Sequence, residues 1–148
     1  MTRHGRARDR LQAVSLVVAA AGTAIVGIWA VITPLGFYRS FPGAGHHWVA
    51  MDGPYNRHLV SDVGLLSLAL TLTLLVALWR REKVLVRTAS VAALVFAAPH
   101  LAYHAGHLGH FSSDDATLEM VVLAITVLAP LVALITTSAG RGPEGAAP

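Results

Sequence analysis

Four long apolar runs separated by short polar stretches dominate the pattern of this chain. They cover residues 11–32, 59–79, 88–106 and 116–137. Each is close to the roughly 20 residues an α-helix needs to cross a hydrocarbon core about 30 Å thick. Lipid offers the backbone no hydrogen bonds, so segments of this kind form helices, where every N–H and C=O has an internal partner. The pattern predicts an all-α integral membrane four-helix bundle over residues 1–139. The tail, residues 140–148, is small, polar and proline-containing, and is expected to be disordered.

The polar stretches orient the spans. Arg3, Arg6, Arg8 and Arg10 precede the first run, Arg80, Arg81, Lys83 and Arg87 separate the second from the third, and Arg141 follows the fourth. These are nine of the eleven Lys and Arg residues, the exceptions being Arg39 and Arg57. The positive-inside rule makes that side cytoplasmic. The expectation is a multi-pass plasma-membrane protein with N- and C-termini in the cytoplasm and loops 33–58 and 107–115 outside. A cleaved signal peptide is the competing reading of residues 1–32. Against it, the apolar run exceeds the ~7–15 residues of a signal core, and no A-x-A site ends it. The short 80–87 connection predicts that the second and third spans pack as antiparallel neighbours. Ala19, Ala20, Ala21, Gly22 and Gly27 are small enough to let the first span approach another helix closely.

Composition agrees. The chain of 148 residues is 55% hydrophobic and 13% charged, against about 25% charged in a soluble domain. It has no cysteine, which excludes a disulfide relay, a thiolate metal site, an Fe–S cluster and C-x-x-C-H haem attachment. The pI is near 10.0, but the basic residues flank apolar runs. The expected partner is the lipid bilayer and not nucleic acid, with a homo-oligomer or a larger membrane complex left open.

The candidate chemistry gathers on one side. Seven of the eight histidines, His46, His47, His58, His100, His104, His107 and His110, fall at the expected outer face, and only His4 at the other. His100 and His104 are four residues apart and share a helix face, a usual spacing for two ligands of one metal. Pro99 is expected to kink that helix. Gly106 and Gly109 are expected to end it, leaving His107 and His110 in the loop. His58 and Asp62 are also four apart, and Asp62 lies inside the apolar run, where a carboxylate is costly unless paired or solvated. Hairpin packing would bring the two pairs together. His58, Asp62, His100 and His104 then form a metal pocket suited to zinc, copper or iron. His58 with His100 or His104 would instead ligate one non-covalent haem. Tyr55, Tyr103, His107, His110 and Glu119 are expected at the periphery.

Blander roles stand beside these. Asp62 pairs with Arg57 or a histidine to hold helices together. His104, His107 and His110 sit as interfacial residues with wet tips. His46, His47 and Trp48 anchor a loop at the headgroups or cover the pocket. Asp114 and Asp115 stabilise the start of the fourth helix. Protons passing among Asp62, Glu119, the histidines, Tyr55 and Tyr103 need no metal, but no charge lies deep enough to relay them across the membrane.

The halves of the chain are faintly alike. Pro34 and Pro99 each stand four residues before a tyrosine, Tyr38 and Tyr103. Asp62 and Glu119 then fall within one residue of register, as in a parallel repeat.

The runs Gly53-Pro54-Tyr55-Asn56-Arg57-His58-Leu59-Val60-Ser61-Asp62-Val63-Gly64 and Pro99-His100-Leu101-Ala102-Tyr103-His104-Ala105-Gly106-His107-Leu108 resemble small four-span actinobacterial membrane proteins of the broad DoxX-like group. The resemblance implies the four-helix membrane fold over nearly the whole chain. Some members are linked to sulfur or quinone redox chemistry, and the lack of cysteine argues against a thiol-based role here. The functional expectation is a histidine/aspartate pocket binding a metal ion or haem in an accessory redox or metal-handling role. The alternatives are a structural or accessory subunit without cofactor, or a small enzyme acting on a lipid or quinone.

Overall fold

A computed structural model describes residues 3–138, and among them all regular structure is helical. The elements are α1 (Arg3–Ile32), α2 (Pro34–Ser40), α3 (Trp48–Met51), α4 (Arg57–Arg80), α5 (Lys83–Ala105), a 3-10 turn (Leu108–His110) and α6 (Ser113–Ser138). Four of them, α1, α4, α5 and α6, are long and apolar enough to cross a membrane. The tail expected over 140–148, and Arg141, lie outside the described residues.

Local chemistry sets the helix ends. The described part of α1 is helical from Arg3, ahead of the apolar run, where Arg3, Arg6, Arg8 and Arg10 favour helix. It ends before Pro34, whose ring drives Thr33 out of the α region to φ −135° and ψ 71°. Pro34 then opens α2, where its missing N–H costs nothing. Asn56 caps α4 by accepting from the Leu59 N–H at 3.1 Å. Helix α5 runs unbroken through Pro99 and stops at Gly106, so His107 and His110 fall beyond it. Proline is tolerated inside membrane helices, whereas Thr33-Pro34 ends one; the two halves of the chain differ at this point.

The long helices form a ring in which α1 contacts α4 and α6, and α5 contacts α4 and α6. The most extensive pairings are α1 with α4 and α5 with α6. The α4–α5 contact expected from the short connection is present but is the slightest of the four. Two glycines explain the close α1–α4 fit. A Cβ at Gly27 would stand 2.8 Å from the Leu68 side chain, and one at Gly64 would stand 2.9 Å from Val31 Cγ2 and 3.0 Å from Ala30 Cβ. Thr23 Oγ1 and Thr71 Oγ1 share a hydrogen bond of 2.8 Å across the same interface. Gln12 Nε2 donates to Thr137 Oγ1 at 2.7 Å, tying α1 to α6 near the basic end.

The core is built largely of alanine, with Leu16, Leu74 and Val86. Large apolar side chains such as Leu66, Val95, Ile125 and Leu128 point outward. Small residues between helices and bulky ones outside suit a bundle whose surroundings are as apolar as its interior.

A separate cluster roofs one end. Ala30, Phe37 and Val60 are buried there, packed by Val26, Trp29, Phe41 and Val49. Phe37 and Phe41 pack with tilted rings, their centres 4.8 Å apart. This places the strap made by α2, α3 and the residues around them over the end that carries the seven histidines.

Candidate cation site at the histidine end

The two carboxylates that organise this end belong to α6. Ser112 caps the helix by accepting from the Asp115 N–H at 3.1 Å, while its hydroxyl donates to Asp115 Oδ2 at 3.0 Å. The first bond is the N-cap half of a capping box; in the second the carboxylate takes the Ser112 hydroxyl in place of its backbone N–H. The other oxygen, Asp115 Oδ1, accepts from Trp48 Nε1 at 2.8 Å and lies 2.5 Å from His46 Nδ1. Asp115 therefore both starts α6 and fastens the strap. Trp48 is only 5% exposed, so it is a buried anchor of the strap and not a headgroup contact: its indole has found a carboxylate and the Phe41 ring.

One turn further along α6, Glu119 enters the interior. Its Oε1 lies 2.9 Å from His104 Nδ1, and the side chains are 3% and 13% exposed respectively. Its Oε2 is buried with no hydrogen-bond partner among the described residues. A buried carboxylate oxygen without a donor is costly and calls for a function. His100, one turn below His104 on α5, sets its ring edge-on to that of His104 with centres 4.6 Å apart. Phe96 stacks on the His100 ring, with centres 5.0 Å apart.

The remaining predicted residues divide clearly. His58 Nε2 is 3.4 Å from Asp62 Oδ2, but the two side chains are 88% and 48% exposed. They form a surface pair on α4. Among the described residues no three His, Cys, Asp or Glu side chains are grouped so that they could hold a metal ion. The four-residue pocket of His58, Asp62, His100 and His104 is therefore not assembled. His100 and His104 meet each other, and their carboxylate is Glu119, expected only at the periphery.

Tyr103 stacks on His107 at 4.2 Å and reaches Asp52 Oδ1 with its hydroxyl at 3.4 Å. His107 Nδ1 donates to the Tyr103 carbonyl at 2.7 Å. His47 Nδ1 donates to the Arg39 carbonyl at 2.6 Å. His110 lies against Phe111, with ring centres 4.5 Å apart. Tyr55 packs on Tyr38 at 5.2 Å, and Tyr38 donates to the Gly53 carbonyl at 2.7 Å.

The arrangement holds two imidazoles and a buried carboxylate whose second oxygen has no hydrogen-bond partner among the described residues. A carboxylate on one ring nitrogen of a histidine fixes its tautomer and frees the other nitrogen for a ligand. Comparison with protein-family models, curated proteins and solved structures returned no match.

Proposed function

We propose that this chain is a four-span plasma-membrane protein, with its termini in the cytoplasm and its histidine end outward. Its role is metal-handling or accessory redox, with His100, His104 and Glu119 drawing together on a transition-metal cation; without the ion they do not form a ready three-donor group. The basic residues at the opposite end support the orientation, and the resemblance to DoxX-like four-span proteins belongs to the same reading. The observation that carries the binding role is Glu119, a buried carboxylate with one oxygen on His104 and the other without a partner. A divalent ion supplies the missing charge and the missing contact together. Imidazole and carboxylate donors suit zinc, copper(II) or iron.

An ion fits better than haem. Axial ligation needs two imidazoles facing each other from different helices. His58, the histidine of α4, is occupied with Asp62 at the exposed surface. An open groove of about 610 Å³, lined by Ala21, Ala24, Ile25, Ile28, Trp29, Ile32 and Thr33, includes none of the site residues. It gives no support to an enzyme acting on a lipid or quinone beside the histidines.

The His104–Glu119 pair also joins α5 to α6, and this favours one second reading: an accessory subunit, alone or in a larger membrane complex, whose polar groups hold helices together. Elemental analysis of the untagged protein in mild detergent separates the two. About one equivalent of zinc, copper or iron per chain, lost in His100→Ala and in His104→Ala, is the result expected of a cation site. No metal above background, even after incubation with each ion, overturns it and leaves the helix-pairing role.

A further inference from the structure

We propose that α1 carries a groove for one anionic phospholipid of the leaflet at the histidine end, with Arg57 holding the lipid phosphate. The groove stands apart from His100, His104 and Glu119. Helix α1 has two faces. Gly27 meets Leu68 of α4, and Ala30 lies against Gly64. On the opposite side Ala21, Ala24, Ile25, Ile28 and Ile32 recur at steps of three and four residues, so they share a face. The small Ala21 and Ala24 beside the bulkier Ile25, Ile28, Trp29 and Ile32 leave a hollow of about 610 Å³. Ile25, Ile28 and Ile32 are each more than half exposed. From Ala21 to Ile32 the helix rises about 17 Å, close to one leaflet of a hydrocarbon core about 30 Å thick. The groove has the depth and the chemistry of an acyl chain.

At its Thr33 end the groove meets a second hollow, of about 310 Å³, lined by Thr33, Pro34, Leu35, Gly36, Tyr55 and Arg57. Thr33 borders both. Arg57 stands two residues before the apolar run of α4 begins at Leu59, at the level of the headgroups. Its guanidinium is exposed and has no ion pair or hydrogen bond among the described residues. Asp62 is taken by His58. Arg57 also opens α4, where a positive charge opposes the helix macrodipole, so helix stability does not account for it.

A phosphate does account for it. The guanidinium fork matches phosphate oxygens in geometry as well as charge. No carboxylate lines the hollow, so an ammonium headgroup would find no counter-charge there, and a headgroup of net negative charge is favoured. Between its chains and its phosphate a phospholipid carries ester carbonyls. Trp29 Nε1 offers a donor at that level: it has no hydrogen-bond partner among the described residues and lies 3.8 Å from where a Gly36 Cβ would stand. Tyr55 packs on Tyr38 beside the second hollow, and such amphipathic rings suit the membrane–water boundary.

The test uses the full chain in mild detergent, incubated with phosphatidylglycerol or phosphatidylcholine and analysed by native mass spectrometry. The wild type is expected to keep one phosphatidylglycerol per chain and to prefer it to phosphatidylcholine. Arg57→Gln should weaken retention of phosphatidylglycerol by about tenfold, the loss of a charged hydrogen-bond partner, and should remove the preference. Arg57→Lys, which keeps the charge, should recover part of both. Arg39→Gln, at the other basic residue of this end and outside both hollows, should change neither. Equal retention of the two lipids by the wild type, or a preference that Arg57→Gln leaves unchanged, overturns the proposal. A dimer that excludes lipid and that Ala24→Phe dissociates would give the groove to a second copy of the chain and overturn it as well.

Discussion

Replacing His104 and Glu119 by leucine, singly and together, measures how strongly the buried pair holds α5 to α6. In His104→Leu, Glu119 stays 3% exposed with neither oxygen bonded. Breaking a buried pair by removing one partner costs about 3–5 kcal/mol while the survivor stays charged. Glu119 escapes part of this by taking a proton, after which an unsatisfied neutral group costs about 1–3 kcal/mol. Each single substitution should therefore destabilise by about 2–3 kcal/mol. The double substitution removes both demands and fills the space with carbon, so it should fall within about 1 kcal/mol of the wild type. The resulting coupling is about 3–6 kcal/mol, at or above the top of the range for residues in contact. A solvent-exposed ion pair would give only about 0.2–1 kcal/mol, so the size of the coupling reports burial. The assay is unfolding in mixed micelles with increasing dodecyl sulfate, followed by far-ultraviolet circular dichroism. Single substitutions that cost under about 0.5 kcal/mol, or a double substitution equal to their sum, would refute the reasoning.

The α1–α4 crossing and the orientation are open to equally direct tests. Gly64→Ala should destabilise by about 1–3 kcal/mol in the same unfolding assay through overpacking, because the new Cβ meets Val31 N at 3.1 Å as well as two side chains; Gly22→Ala, with nothing within 4 Å, should be neutral or slightly stabilising. The chain has no cysteine, so Ser40→Cys and Glu82→Cys can be labelled without background: in intact cells a membrane-impermeant maleimide should reach residue 40 and not residue 82, and the opposite pattern would invert the proposed orientation.

The four spans were legible because hydropathy is a one-dimensional property and lipid leaves the backbone one way to satisfy itself. Which side chains meet depends on how each helix is rotated about its axis, and an all-round apolar helix such as α4 carries little signal of that. His58 and Asp62 show the consequence. Gly64 faces α1, where it lies against Ala30 and Val31. Asp62 is two residues away, which is about 200° around an α-helix. The contact that draws α4 onto α1 therefore turns Asp62 to the opposite side, where it is 48% exposed beside His58. Spacing alone placed that pair on one face of α4 but did not say which face. Glu119 was less legible still. It lies six residues into α6, whereas His104 is one residue from the end of α5, so a symmetric hairpin does not pair them. Their meeting depends on the offset set by the connection that holds the Leu108–His110 turn, which neither hydropathy nor i, i+4 spacing encodes. In a bundle of this kind the glycines that fix rotation locate a polar site more surely than the spacing of its histidines.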